Sequence, residues 1–182
     1  MGIRLHKAVE QIAEAFSRSD VIGMRRLSNK MIEQAAIENS KMLASVAMTG
    51  YALHKLSTKT HIVSNDKWLK VRGQVLISLK KAIKALERGD TENFEKTMTG
   101  IAKEVNSADA KLGYFTDSIY KKASIKYAST AYSLGLSLSQ ASSLTGADIK
   151  DVLDYIGATR ISDREKSPLG INDRLKKMRE LL

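Results

Sequence analysis

Apolar residues recur along this chain at steps of three and four, the spacing that places them on one face of an α-helix. The first predicted helix covers about residues 3–17, with inward positions Leu5, Val9, Ile12 and Phe16. A second apolar stripe runs from Met24 to Leu53 without a proline, which predicts one very long helix that starts after Ser19 or Asp20. Gly50 is the position where we expect this long helix to bend.

Three further helices follow a predicted loop at residues 57–64. The third ends at Arg88 before Gly89, and Asp90 or Thr91 caps the fourth. The fifth covers about residues 115–134. These elements predict an all-α protein in which residues 1–135 form a helical bundle of about five helices. Residues 136–182 form a second unit or complete the same domain.

The segment 136–157 reads LSLSQASSLTGADIKDVLDYIG and resembles the helix-turn-helix unit of transcription regulators. In that resemblance Ser139 caps the first helix, Gly146 makes the turn and Asp148 caps the second helix. Ser142 and Ala147 depart from the usual residue types of the motif. The resemblance implies a second helix that enters the major groove of DNA, in a protein that dimerises.

The end of the chain carries two further signals. Residues 155–164, YIGATRISDR, resemble the C-terminal signature of small uncharacterised helical proteins from archaea, which implies an all-helical intracellular protein and no particular activity. Residues 173–182 predict a terminal basic helix with an apolar stripe of Leu175, Met178 and Leu182. Such a helix must dock on its own bundle or on a second copy, and we favour a homodimer.

The chain of 182 residues carries 30 Lys and Arg against 20 Asp and Glu, a formal charge of +10 that makes polyanions the first partners to consider. Cations recur at helical spacing on the third and fifth predicted helices, the latter interleaved with Tyr120 and Tyr127, as in proteins that stack bases and neutralise phosphate. Two arginines follow the helix-turn-helix-like segment. The candidate nucleic-acid-binding residues are Lys67, Lys70, Lys81, Lys84, Arg88, Lys121, Lys122, Lys126, Arg160 and Arg164.

Two functional hypotheses remain open at this point. The first is a nucleic-acid-binding protein, of a regulatory kind, that uses these basic helix faces. The second is a protein–protein interaction module, because the second helix of the helix-turn-helix-like unit carries Asp148, Asp151 and Asp154 against Lys150, the wrong sign for phosphates. The solvated surface of an ordinary bundle also explains a lysine stripe.

The sequence gives no sign of catalysis or of a cofactor. There is no cysteine, none of the three histidines stands four residues from another, and the phosphate-binding and nucleophile motifs of common enzymes are missing. We therefore expect neither an enzyme nor a metal or cofactor site. Residues 127–147 are uncharged but rich in Ser and Thr, so we predict no membrane span and a cytoplasmic protein.

Overall fold

A computed structural model describes residues 5–113 and 118–159, and all regular structure within these residues is helical. The all-α class is therefore confirmed. None of these helices combines the length and apolar character that a bilayer crossing requires. The helices are α1 (Leu5–Ser17), α2 (Val21–Glu38), α3 (Lys41–Ser57), α4 (Thr60–Val63), α5 (Trp68–Glu87), α6 (Thr91–Gly113), α7 (Ile119–Ser133), α8 (Leu138–Thr145) and α9 (Ile149–Thr159).

Helix α3 is the centre of the bundle. It contacts α1, α2, α4, α6, α7 and α8, and its side chains are buried on nearly every side from Leu43 to Leu56. A helix that is apolar all round belongs in a core rather than at a surface. The other helices therefore present their outer faces to solvent.

At Gly50, helix α3 packs closely against side chains of α1 and α2. A Cβ atom at this position would lie 2.5 Å from Cδ1 of Ile12 on α1, and still closer to Oγ of Ser28 on α2. Helix α3 continues through Gly50 without interruption, so this glycine does not end the helix. The glycine serves packing instead, because only hydrogen fits between α1 and α2 here.

The prediction of one long helix from Met24 to Leu53 is wrong, because two helices, α2 and α3, occupy these residues. Asn39 ends α2 in the left-handed conformation, with φ of 49°. Ser40 then caps α3 by accepting a hydrogen bond of 3.2 Å from the backbone N–H of Leu43. Asparagine tolerates positive φ and serine is a strong N-cap, so the chain reverses without glycine or proline.

Within the described residues up to 133, the bundle has seven helices rather than about five. Besides the split at Asn39, the predicted loop at residues 57–64 contains α4, which buries Ile62. The α5–α6 connection matches expectation, since Gly89 has φ of 69° and Asp90 accepts a hydrogen bond from the N–H of Asn93.

The end of the described chain packs on the bundle. Helix α8 contacts α3 and α7, and α9 contacts α7 and α8. The cap of α8 is Ser137 rather than Ser139, because Ser137 and Gln140 form a capping box. The turn at Gly146 is left-handed, with φ of 71°. The predicted terminal helix with Leu175, Met178 and Leu182 lies outside the described residues.

Candidate nucleic-acid interface

The outer face of α5 is strongly basic, together with the residues that flank the helix, Lys67 and Arg88. Residues 67–88 contain seven basic residues and one acidic residue. One of the cations has a packing role, because Arg72 donates a hydrogen bond to the carbonyl oxygen of Ser17 at the end of α1. Helix α5 buries its apolar face against α1 and α6, which leaves the cationic stripe in solvent. We call five exposed residues the basic stripe, namely Lys67, Lys70, Lys81, Lys84 and Arg88. Lys80 is also exposed, beside them.

A groove of about 790 Å³ runs between α5 and α6 beside the basic stripe. Lys67, Lys70 and Gln74 line it from α5, and Lys103 lines it from α6. The amino-acid sequence does not single out Lys103, because its position in this groove depends on how α6 packs against α5. The only signal in the sequence was its position between Ile101 and Val105, which belong to the apolar face of this helix. Lys103 adds positive charge to the second side of the groove.

One carboxyl group, that of Glu104, lies in the same groove. Desolvation raises its pKa, while a hydrogen bond from Ser78 and the charge of Lys81 act in the opposite direction. Oxygen Oε2 of Glu104 is buried and has no hydrogen-bond partner among the described residues. Glu104 therefore reduces the positive potential at this part of the groove when it is ionised.

The tyrosines that alternate with the cations of α7 hold helices together. Tyr127 is fully buried and its hydroxyl donates a hydrogen bond of 3.2 Å to Oδ1 of Asn29. The hydroxyl groups of Tyr120 and Thr49 are 2.7 Å apart, and burial raises the pKa of Tyr120 to about 12. The buried ring of Tyr127 has no free face for a base, whereas Tyr120 is partly exposed, so only Tyr120 is left for the stacking expected of α7.

The three lysines of α7 differ in their surroundings. Lys121 forms an ion pair of 2.9 Å with Asp151, which fastens α9 to α7. Lys122 is exposed to solvent. Lys126 is half-buried, with Nζ 4.4 Å from the ring centroid of Tyr51. They do not form one continuous surface comparable with the basic stripe of α5.

Helix α9 presents an acidic and aliphatic surface. Asp148 caps it by accepting a hydrogen bond of 2.8 Å from the N–H of Lys150, and Val152 is its one fully buried side chain. Ile149 is 45% exposed and Leu153 is 53% exposed, which is high for aliphatic side chains. The candidates Arg160 and Arg164 lie outside the described residues. The exposed positions in the first two turns of α9 are Ile149, Lys150, Leu153 and Asp154.

The histidine in the core is committed to packing. His54 donates a hydrogen bond of 2.8 Å from Nδ1 to the carbonyl oxygen of Val21, and burial lowers its pKa. Within residues 5–113 and 118–159, no three His, Asp or Glu side chains are grouped so that they could hold a metal ion. Comparison of the chain with protein-family models, curated proteins and solved structures finds no match.

Proposed function

We propose that the protein binds nucleic acid through the basic stripe of α5 and the adjoining groove. The observation that carries this proposal is the exposure of five cations on one side of α5, with Lys103 across the groove. Phosphate contacts of this kind supply most of the affinity of sequence-independent binding. The stripe has a single acidic neighbour in residues 67–88, which is Glu87.

The length of the basic stripe suits a polyanion. At a rise of about 1.5 Å per residue, the helix from Lys67 to Arg88 spans about 32 Å. One turn of duplex DNA has an axial length of about 34 Å. The stripe is therefore long enough to follow the backbone of a duplex over most of one turn.

We expect this binding to depend little on base sequence. Lysine contacts to phosphate position a protein on nucleic acid but read no bases. The helix-turn-helix resemblance assigns base contacts to the second helix, which here is α9. Its exposed Asp154 and the neighbouring Asp148 oppose that role, so we assign backbone contacts to α5 instead.

A pair of double variants with equal charge change tests the proposal. Lys70→Gln/Lys81→Gln removes two charges from the basic stripe, and Arg26→Gln/Lys30→Gln removes two exposed charges from α2. Binding to labelled duplex DNA and duplex RNA is followed by fluorescence anisotropy. Since each phosphate contact releases about 0.9 counterion, two lost contacts weaken binding to duplex DNA by about 30-fold near physiological salt. Equal weakening by both pairs would refute the assignment to α5.

A second candidate function is protein binding through α9. The exposed aliphatic positions Ile149 and Leu153, next to Asp148 and Asp154, favour it over an ordinary solvated face. If α9 mediates a homodimer, light scattering at high micromolar concentration gives twice the monomer mass, and Leu153→Glu restores the monomer. A monomeric wild-type protein would exclude this homodimer.

A further inference from the structure

Two ammonium groups from different helices lie near one aromatic ring. Nζ of Lys126, on α7, is 4.4 Å from the ring centroid of Tyr51, and Nζ of Lys55, on α3, is 5.7 Å from it. Tyr51 is 7% exposed and packs on Tyr127, with ring centroids 5.3 Å apart. The Tyr51 ring is therefore held in place by packing, and both ammonium groups lie over it.

Arg25 on α2 faces the same region. Val21 and Asn29 stand four residues before and after it, so the three positions share one face of the helix. Val21 contacts His54 of α3 through the hydrogen bond of 2.8 Å, and Asn29 contacts Tyr127 of α7 through the one of 3.2 Å. Arg25 lies between these two contacts, on the side of α2 directed at α3 and α7.

The cation cluster formed by Arg25, Lys55 and Lys126 has no anionic partner among the described residues. No carboxylate in these residues comes within 4 Å of any of the three. Desolvation lowers the pKa of Lys126, and the charges of Arg25 and Lys55 lower it further. Lys126 is half-buried while Arg25 and Lys55 are exposed, and a bound anion would reduce the repulsion among the three.

We propose that the cation cluster binds a phosphate group, as inorganic phosphate or as a phosphomonoester, between its three cationic groups. A guanidinium offers a fork of donors that matches two phosphate oxygens, and each ammonium adds a further charge-assisted hydrogen bond. A dianion suits three converging cations better than a monoanion does. The cluster is formed by α2, α3 and α7, so it is separate from the basic stripe on α5.

The full chain titrated with inorganic phosphate, followed by nuclear magnetic resonance, tests this site. We expect saturable shifts at Tyr51, His54 and the side chain of Lys126, together with a rise in the pKa of Lys126 because a dianion favours its charged form. The charged and titratable groups that face Lys126 are Arg25, Lys55, His54 and Tyr51. No saturable shift up to millimolar phosphate would overturn the proposal.

Variants separate the site from general charge effects. Lys126→Met keeps the aliphatic packing on Tyr51, and loss of one charged donor is expected to weaken phosphate binding at least about tenfold. Lys55→Met, at an exposed position, gives a similar loss without risk to the core. Lys30→Met on α2 is the matched control and should bind as the wild type does. Unchanged binding by both Lys126→Met and Lys55→Met would overturn the proposal.

The source of the phosphate group is decided with a terminally phosphorylated dinucleotide and its hydroxyl counterpart. A gain in affinity from the terminal phosphate that disappears in Lys126→Met supports a nucleotide-borne group, whereas binding of inorganic phosphate alone supports a small free anion. The variant Lys70→Gln/Lys81→Gln should retain phosphate binding in either case. Its failure to do so would contradict a separate site, whatever the outcome for duplex binding.

Discussion

Replacement of Gly50 by alanine is expected to destabilise the fold, although the same exchange stabilises most helices. The added methyl carbon would stand 2.5 Å from Cδ1 of Ile12 and closer still to Oγ of Ser28. Optimal carbon–carbon contacts are about 3.5–4.0 Å, so Ile12 must move by about 1 Å or more. Ile12 is fully buried, and the Ser28 hydroxyl donates a hydrogen bond of 2.7 Å to the carbonyl oxygen of Met24.

The size of the effect follows from two opposing contributions. Alanine gains about 1 kcal/mol over glycine in a helix interior. Overpacking of a close-packed core costs about 1–3 kcal/mol, and the upper part of that range applies because the Ile12 and Ser28 side chains that must shift are both fully buried. We therefore expect Gly50→Ala to lower the free energy of unfolding by about 1–2 kcal/mol.

Two matched glycines provide the control. Gly73 in α5 and Gly100 in α6 have no atom within 4 Å of an added Cβ, so alanine is expected to stabilise each by about 0.5–1 kcal/mol. Urea denaturation followed by far-ultraviolet circular dichroism measures all three variants. A free energy of unfolding for Gly50→Ala that equals or exceeds that of Gly73→Ala would refute the close packing of α1, α2 and α3.

Three further predictions concern titratable side chains. Because burial lowers the pKa of His54, the unfolded chain binds its proton more tightly, so stability should fall as pH drops through about 6.5. His54→Gln should flatten that part of the urea-denaturation profile. Burial raises the pKa of Glu104, so the pH dependence of stability is reversed: ionisation of Glu104 lowers the free energy of unfolding as pH rises from about 4.5. Urea denaturation should therefore show that Glu104→Gln is more stable than the wild type at neutral pH. A thermal double-mutant cycle on Lys121 and Asp151 should give a coupling of about 0.5 kcal/mol that disappears in high salt, and undiminished coupling there would contradict a solvent-screened pair.

Local signals predicted those parts of the fold that depend on a few neighbouring residues. The left-handed glycines at 89 and 146 and the cap at Asp90 are of this kind. The turn at Asn39 was missed because α2 and α3 bury their faces in the same core, which makes the apolar stripe continuous across the turn. Only the Asn-Ser pair marked the reversal, and such pairs also occur within helices.

The candidate sites also contain parts that local sequence signals predict and parts that they do not. Exposure of the α5 lysines follows from helical periodicity, since the apolar residues occupy the opposite face. Periodicity does not encode how distant helices pair. That pairing decides the position of Lys103 in the groove, and it also brings Arg25, Lys55 and Lys126 together near Tyr51. The hydrogen bond of Tyr127 has the same origin, because its partner Asn29 is 98 residues away.

The salt dependence of duplex binding tests the central claim most directly. If the five exposed cations of the basic stripe and Lys103 each contact one phosphate of duplex DNA, the logarithm of the binding constant should fall against the logarithm of salt concentration with a slope of about −5. The slope should become shallower by about 2 in Lys70→Gln/Lys81→Gln and remain near the wild-type value in Arg26→Gln/Lys30→Gln. Absence of binding at low salt, or one common slope for all three proteins, would contradict a nucleic-acid interface on α5.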